Sequence, residues 1–133
     1  MAMIPLSEKD IQTYQDDGAL CLRGVFKAAE VGALQDAVEE ELLNPGPYTK
    51  EFAQPGEARF VGAIFVSSYN ETIRQVLISS VLGEIAGKLM GARQTRFFFD
   101  HLLVKEPGAS RPTPWHQDAP YFALEGLDCC GIW

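Results

Sequence analysis

Histidine, cysteine and positive charge are all in short supply in this chain. Its 133 residues hold two histidines and three cysteines, and 11 lysines and arginines stand against 18 acidic residues, a formal net charge of -7 at pH 7. A site needing several imidazoles has only His101 and His116 to draw on. The odd set of thiols, Cys21, Cys129 and Cys130, is no disulfide framework, and adjacent Cys129 and Cys130 would face opposite sides of a strand. Buried thiols in a reducing cytoplasm are the expectation. The acidic balance argues against a nucleic-acid surface, because phosphate binding rests on clustered Lys and Arg that release counterions. Long apolar runs are missing too. No stretch approaches the roughly 18 residues of a membrane span, and Met1 to Asp10 carry neither the basic start nor the apolar core of a signal peptide. These features predict a cytoplasmic protein that meets a small molecule, with no nucleic-acid or membrane partner.

What is present is ordinary globular material, 47% hydrophobic and 22% charged, enough for one domain over residues 1 to 133. Ser7 followed by Asp10 has the pattern of a helix N-cap with an acidic first turn, and Gly18 suits the stop of a helix over residues 8 to 17. Ala19 to Arg23 then reads as a short strand. Val31, Leu34, Val38 and Leu42 recur at helical spacing with Asp36, Glu39 and Glu40 on the other side, which predicts an amphipathic helix over 28 to 43. Residues 44 to 58, with three prolines and two glycines, read as a loop, and Phe60 to Val66 accommodates either a strand or a buried turn. Asn70 and Ser79 or Ser80 are candidate caps for two successive helices, the second closing at Leu89-Met90-Gly91. Thr95 to Lys105, rich in aromatic and branched residues, predicts a long strand ending at Pro107-Gly108. After the turn-rich stretch Glu106 to Pro114, a last strand is expected from about Asp128, still running at Trp133. Helices first and strands later make an α+β pattern.

The segment Pro114-Trp115-His116-Gln117-Asp118-Ala119-Pro120-Tyr121-Phe122 carries the chemistry. On a strand, residues two apart share a face, so His116 and Asp118 would present a nitrogen and an anionic oxygen ligand together. That is two-thirds of the 2-His-1-carboxylate triad of non-heme Fe(II) oxygenases. In isolation His-x-Asp is equally the pattern of a surface histidine hydrogen-bonded to a nearby acid. With Trp115, Tyr121 and Phe122 flanking it, the carboxylate must be paired or neutralised, and a divalent metal is one such partner. By strand parity His101, Leu103 and Lys105 share one face, opposite Asp100, Leu102 and Val104.

Phe98-Phe99-Asp100-His101-Leu102-Leu103-Val104-Lys105-Glu106-Pro107-Gly108, followed by Thr113-Pro114-Trp115-His116-Gln117-Asp118 and Tyr121, resembles the phytanoyl-CoA dioxygenase family. The resemblance covers nearly all of this chain and roughly the first half of a typical member. It implies amino-terminal helices packed on an incomplete double-stranded β-helix, or jelly roll, with Fe(II) and the cosubstrate 2-oxoglutarate in its mouth. His116 and Asp118 would be the first two iron ligands. The second histidine and the cosubstrate arginine normally lie beyond Trp133, and His101 sits where the family has a polar residue rather than a ligand. If its strand face lines the barrel, His101 could reach the cosubstrate; hydrogen bonding within the sheet for His101, and a solvated strand end for Lys105, are the plainer alternatives. Trp133 stands one residue out of register from a tryptophan that members often carry beside 2-oxoglutarate, and otherwise reads as a core aromatic. The implied reaction hydroxylates a small organic substrate as 2-oxoglutarate is decarboxylated to succinate. A jelly roll needs eight core strands, so the expectation is a truncated, weakly active or inactive form. The alternative is a non-catalytic binding or assembly module that associates with itself through unpaired strand edges.

Overall fold

The computed structural model describes residues 6–79, 81–109, 112–126 and 128–133, apart from the side chains of Ser79 and Ala119. The first helix, α1 (Glu8–Asp17), is set by its ends: the Ser7 hydroxyl accepts from the Asp10 amide, the Asp10 carboxylate accepts from the Ser7 amide at 2.9 Å, and Gly18 closes the helix in the left-handed region. These are the boundaries the sequence predicts. The expected strand at Ala19 to Arg23 does not form; the segment has no strand assignment and pairs with none of the described strands.

Helix α2 (Ala28–Leu43) also has its expected limits, but its buried stripe runs through Ala37 and Glu41 while Val31 is exposed. Glu41 is 3% exposed and accepts hydrogen bonds from the Gly46 amide, the Thr49 hydroxyl and the Tyr69 hydroxyl. All three reach Oε1, and a buried carboxylate is tolerated when it is hydrogen-bonded. The same contacts fold the chain back after α2, and a Cβ at Gly46 would overlap the Tyr69 ring, so only glycine lets that ring close over the turn. The fold-back explains β1 (Thr49–Glu51), a three-residue strand inside the stretch expected to be a loop. Its short length leaves no periodicity to read.

Strand β2 (Phe60–Ile64) settles the ambiguous segment as a strand followed by a 3-10 turn, Val66–Ser68. β1, β2 and β3 (His101–Lys105) form an antiparallel sheet in that order, with Thr49 opposite Ala63, Gly62 opposite Leu103 and Ile64 opposite His101. The strands therefore interleave with the helices instead of following them. Helix α3 (Glu71–Ser79) starts from Asn70, whose side chain accepts from the Ile73 amide at 3.0 Å. Helix α4 (Leu82–Met90) has Val81 at its N-cap and Gly91 in the left-handed region at its end; the Ser79 side chain and Ser80 lie outside the described residues.

One sheet face is covered. Ala37 of α2, Ala63 of β2, Val66 and Ile73 of α3 form the core, with Leu34, Leu77 and Leu102 packed against it. The opposite face carries His101, Leu103 and Lys105, all exposed, beside Phe60, Gly62 and Ile64 of β2, as the alternation in the sequence predicts. The described strands amount to an α+β arrangement of helices on a three-stranded sheet, without a closed barrel.

Candidate functional site

Strand β3 covers only the last five residues of the predicted Thr95–Lys105 strand, for a reason that shapes the site. Its partner β2 stops at Ile64 because Phe65 takes a left-handed backbone, φ 55°. The last link is the Phe65 amide donating to the Asp100 carbonyl at 3.0 Å. Asp100 then turns its carboxylate to the new turn, accepting from the Val66 amide at 2.7 Å, the Ser67 amide at 3.1 Å and the Ser67 hydroxyl. A carboxylate on free amides at the start of a helical turn is the favoured electrostatic arrangement. Upstream, the chain from Ala92 to Thr95 lies against α4, where Gly83 and Gly87 leave room for it and the Thr95 hydroxyl donates to the Gly83 carbonyl at 3.2 Å.

The bend at Phe65 starts a series of rings in contact. Phe65 meets Tyr48 at 6.0 Å and Phe99 at 5.9 Å between centroids. Phe122 meets Phe99 at 5.2 Å and Phe98 at 5.7 Å, while Phe98 and Phe99 are themselves 5.3 Å apart. These are the edge-to-face and tilted geometries that aromatic quadrupoles prefer.

The chain then carries His116 and Asp118, and no strand holds them. Pro112 to Gln117 has no regular structure, and a 3-10 turn, Ala119–Tyr121, follows, with the Tyr121 amide donating to the Asp118 carbonyl at 2.9 Å. The expected strand parity is thus replaced by a turn, which still brings the pair together: His116 Nε2 lies 3.2 Å from Asp118 Oδ1. His116 Nδ1 is 2.7 Å from the Pro114 carbonyl oxygen, and the Tyr121 ring stands edge-on to the imidazole at 6.1 Å. A carbonyl only accepts, so Nδ1 carries the proton of that bond, which leaves Nε2 as the ring atom that faces Asp118.

The other residues singled out in the sequence are not drawn into this pair. His101 and Lys105 lie on the open sheet face, where the Lys105 ammonium sits 5.2 Å from the Phe60 ring centre. Trp133 and Trp115 are fully exposed. The expected burial of Asp118 among aromatics is therefore not found, since Trp115 points to solvent and Tyr121 is 75% exposed. Nor are the thiols buried: Cys21 and Cys129 are exposed and Cys130 is half-buried. No strand forms at 128–133 among the described residues. Described His, Cys, Asp and Glu side chains do not gather in threes anywhere that could hold a metal ion. Among the described residues no helix is long and apolar enough to cross a membrane.

Sequence reading passes over Asp100, the Pro114 carbonyl and the Phe122 ring contacts. Only the run Phe97-Phe98-Phe99 directly before an acid hints at them, since so many aromatics at a strand entry need ring partners. A model of the phytanoyl-CoA dioxygenase family matches residues 14–133. Neither the curated proteins nor the solved structures compared gave a match.

Proposed function

Because this chain belongs to the phytanoyl-CoA dioxygenase family, whose members generally depend on Fe(II) and 2-oxoglutarate, we propose that it contributes an Fe(II)-binding pair, His116 and Asp118, to a dioxygenase that hydroxylates a small organic substrate. One observation carries this proposal: Nε2 of His116 and Oδ1 of Asp118 face each other at 3.2 Å while Nδ1 is engaged by the Pro114 carbonyl. Either a proton on Nε2 or a cation between the two atoms holds them at that separation. A divalent ion would be held by Nε2 and Oδ1 together, and imidazole with carboxylate is a donor set suited to non-heme Fe(II).

The ion would supply the activation of dioxygen and of the keto acid. The protein's share is to hold the ligands. The Pro114 carbonyl fixes the His116 tautomer and ring plane, an outer-shell role that metal-bound histidines commonly need. The bond from the Tyr121 amide to the Asp118 carbonyl fixes the backbone beside the carboxylate. His101 and Lys105 are proposed as cosubstrate contacts, supported by their shared exposed sheet face, and Trp133 on resemblance alone.

Calorimetric titration with Fe(II) under anaerobic conditions, with and without 2-oxoglutarate, tests the proposal. Binding that is lost in both His116→Ala and Asp118→Ala supports it. Unchanged binding in Asp118→Ala overturns the ligand assignment.

A further inference from the structure

Among the described residues, the segment that bears His116 and Asp118 buries very little of itself. Among the described side chains from Pro112 to Cys129, every one is exposed except Phe122, which is half-buried. Phe122 follows Tyr121, the residue whose ring stands against His116 and whose amide holds the Asp118 carbonyl. Its own ring closes a triangle with Phe98 and Phe99, at 5.7 and 5.2 Å, each contact within 25° of perpendicular.

That triangle is itself anchored. Phe99 meets Phe65, and Phe65 is held in its left-handed conformation by two groups of Asp100: the carbonyl takes the Phe65 amide and the carboxylate takes the next two amides. Val66, directly after Phe65, is fully buried in the core of the helix-covered sheet face. A continuous series of contacts thus runs from that core through Asp100, Phe65 and Phe99 to Phe122, and one residue further to the His116–Asp118 pair.

We propose that Phe122 is a positioning residue for the metal-ligand pair: clipped between Phe98 and Phe99, it fixes the turn that points His116 and Asp118 at one another. This rests on the metal-binding reading of that pair. A loop fastened at one half-buried ring loses its geometry when the ring is removed, and outer-shell losses of this kind lower metal affinity by about 10- to 100-fold.

Two measurements on the 133-residue chain test it, each in the wild type, Phe122→Ala and the conservative Phe122→Tyr. The first is the set of backbone amide order parameters from nitrogen-15 relaxation. Residues 116–121 should be near the rigid value of about 0.85 in the wild type and fall below about 0.6 in Phe122→Ala, while Val61 and Ala63 in β2 stay rigid. The second is Mn(II) affinity by electron paramagnetic resonance, which should drop about 10- to 100-fold in Phe122→Ala and be restored in Phe122→Tyr. A merely structural role would lower melting temperature and leave both readouts at their wild-type values. Rigid order parameters at 116–121 in Phe122→Ala overturn the proposal. A wild type that binds no Mn(II) overturns the metal reading, and the order parameters still decide whether Phe122 fixes the turn. If Phe122→Ala does not fold, Phe98→Ala opens the same clip from a side chain that is 52% exposed, and its order parameters carry the same two outcomes.

Discussion

Replacing Asp100 by alanine should cost this fold about 2–6 kcal/mol. The magnitude follows from the donors left behind. The Val66 and Ser67 amides both donate to the carboxylate, and the residues that carry them are 0% and 8% exposed. An orphaned buried donor costs about 1–3 kcal/mol, and two backbone amides cannot turn away to find water, whereas the Ser67 hydroxyl can rotate. Asp100→Asn keeps one carbonyl acceptor but loses the charge-assisted component, so its cost should be roughly half as large. Urea denaturation followed by far-ultraviolet circular dichroism measures the effect as a shift in midpoint at constant slope, and the melting temperature should fall by roughly 3–6 °C per kcal/mol at this chain length. Ser67→Ala alone should cost about 1 kcal/mol, and its combination with Asp100→Ala should be less than additive because the two share one bond. A loss below about 1 kcal/mol in Asp100→Ala, with the slope unchanged, would refute the account of how β2 ends and the turn at Phe65 is held.

Acid should loosen the start of α3. Hydrogen bonds from Arg74 and then Gln75 hold the Glu71 carboxyl down at about 2, below its ordinary 4.5. A carboxyl depressed in the folded state adds stability above its unfolded value and surrenders it as pH falls through the folded one, so the loss belongs between about 4.5 and 2. Helix content followed by circular dichroism over that window should be less sensitive to pH in Glu71→Gln, and salt should shrink the difference because the pair is exposed. The thiols should differ in reactivity: burial first, and the neighbouring Cys129 second, raise the Cys130 thiol above its ordinary range. Alkylation with iodoacetamide at pH 8, mapped by mass spectrometry, should modify Cys129 before Cys130; the reverse order would contradict the packing of Cys130.

Local chemistry made the helices legible. The Ser7–Asp10 capping box, Gly18 and Gly91 as left-handed stops and Asn70 as a cap each act over three or four residues, so their signals survive in sequence. Strand limits depended on distant partners and were read less well. Thr95 to Lys105 is rich in aromatic and branched residues on both sides of Asp100, yet only His101–Lys105 pairs, because β2 turns away at Phe65. Thr49–Glu51 becomes a strand through the fold-back on Glu41, a buried acid whose partners Gly46, Thr49 and Tyr69 no helical pattern reveals. The same distinction holds at the site. His116 and Asp118 are adjacent in space as the motif predicts, but through a turn closed by the Tyr121 amide in place of a strand. The ring contacts that tie this turn to Phe98 and Phe99 join residues more than 20 positions apart, and no local pattern encodes them.

The pairing of His116 with Asp118 as metal ligands is tested most directly by titrating Mn(II) into the protein while following side-chain proton resonances. The imidazole protons of His116 and the β-protons of Asp118 should broaden first, at metal levels that leave His101 sharp, and Asp118→Ala should abolish the selectivity. Broadening that begins at His101, or that reaches both histidines together, would contradict it.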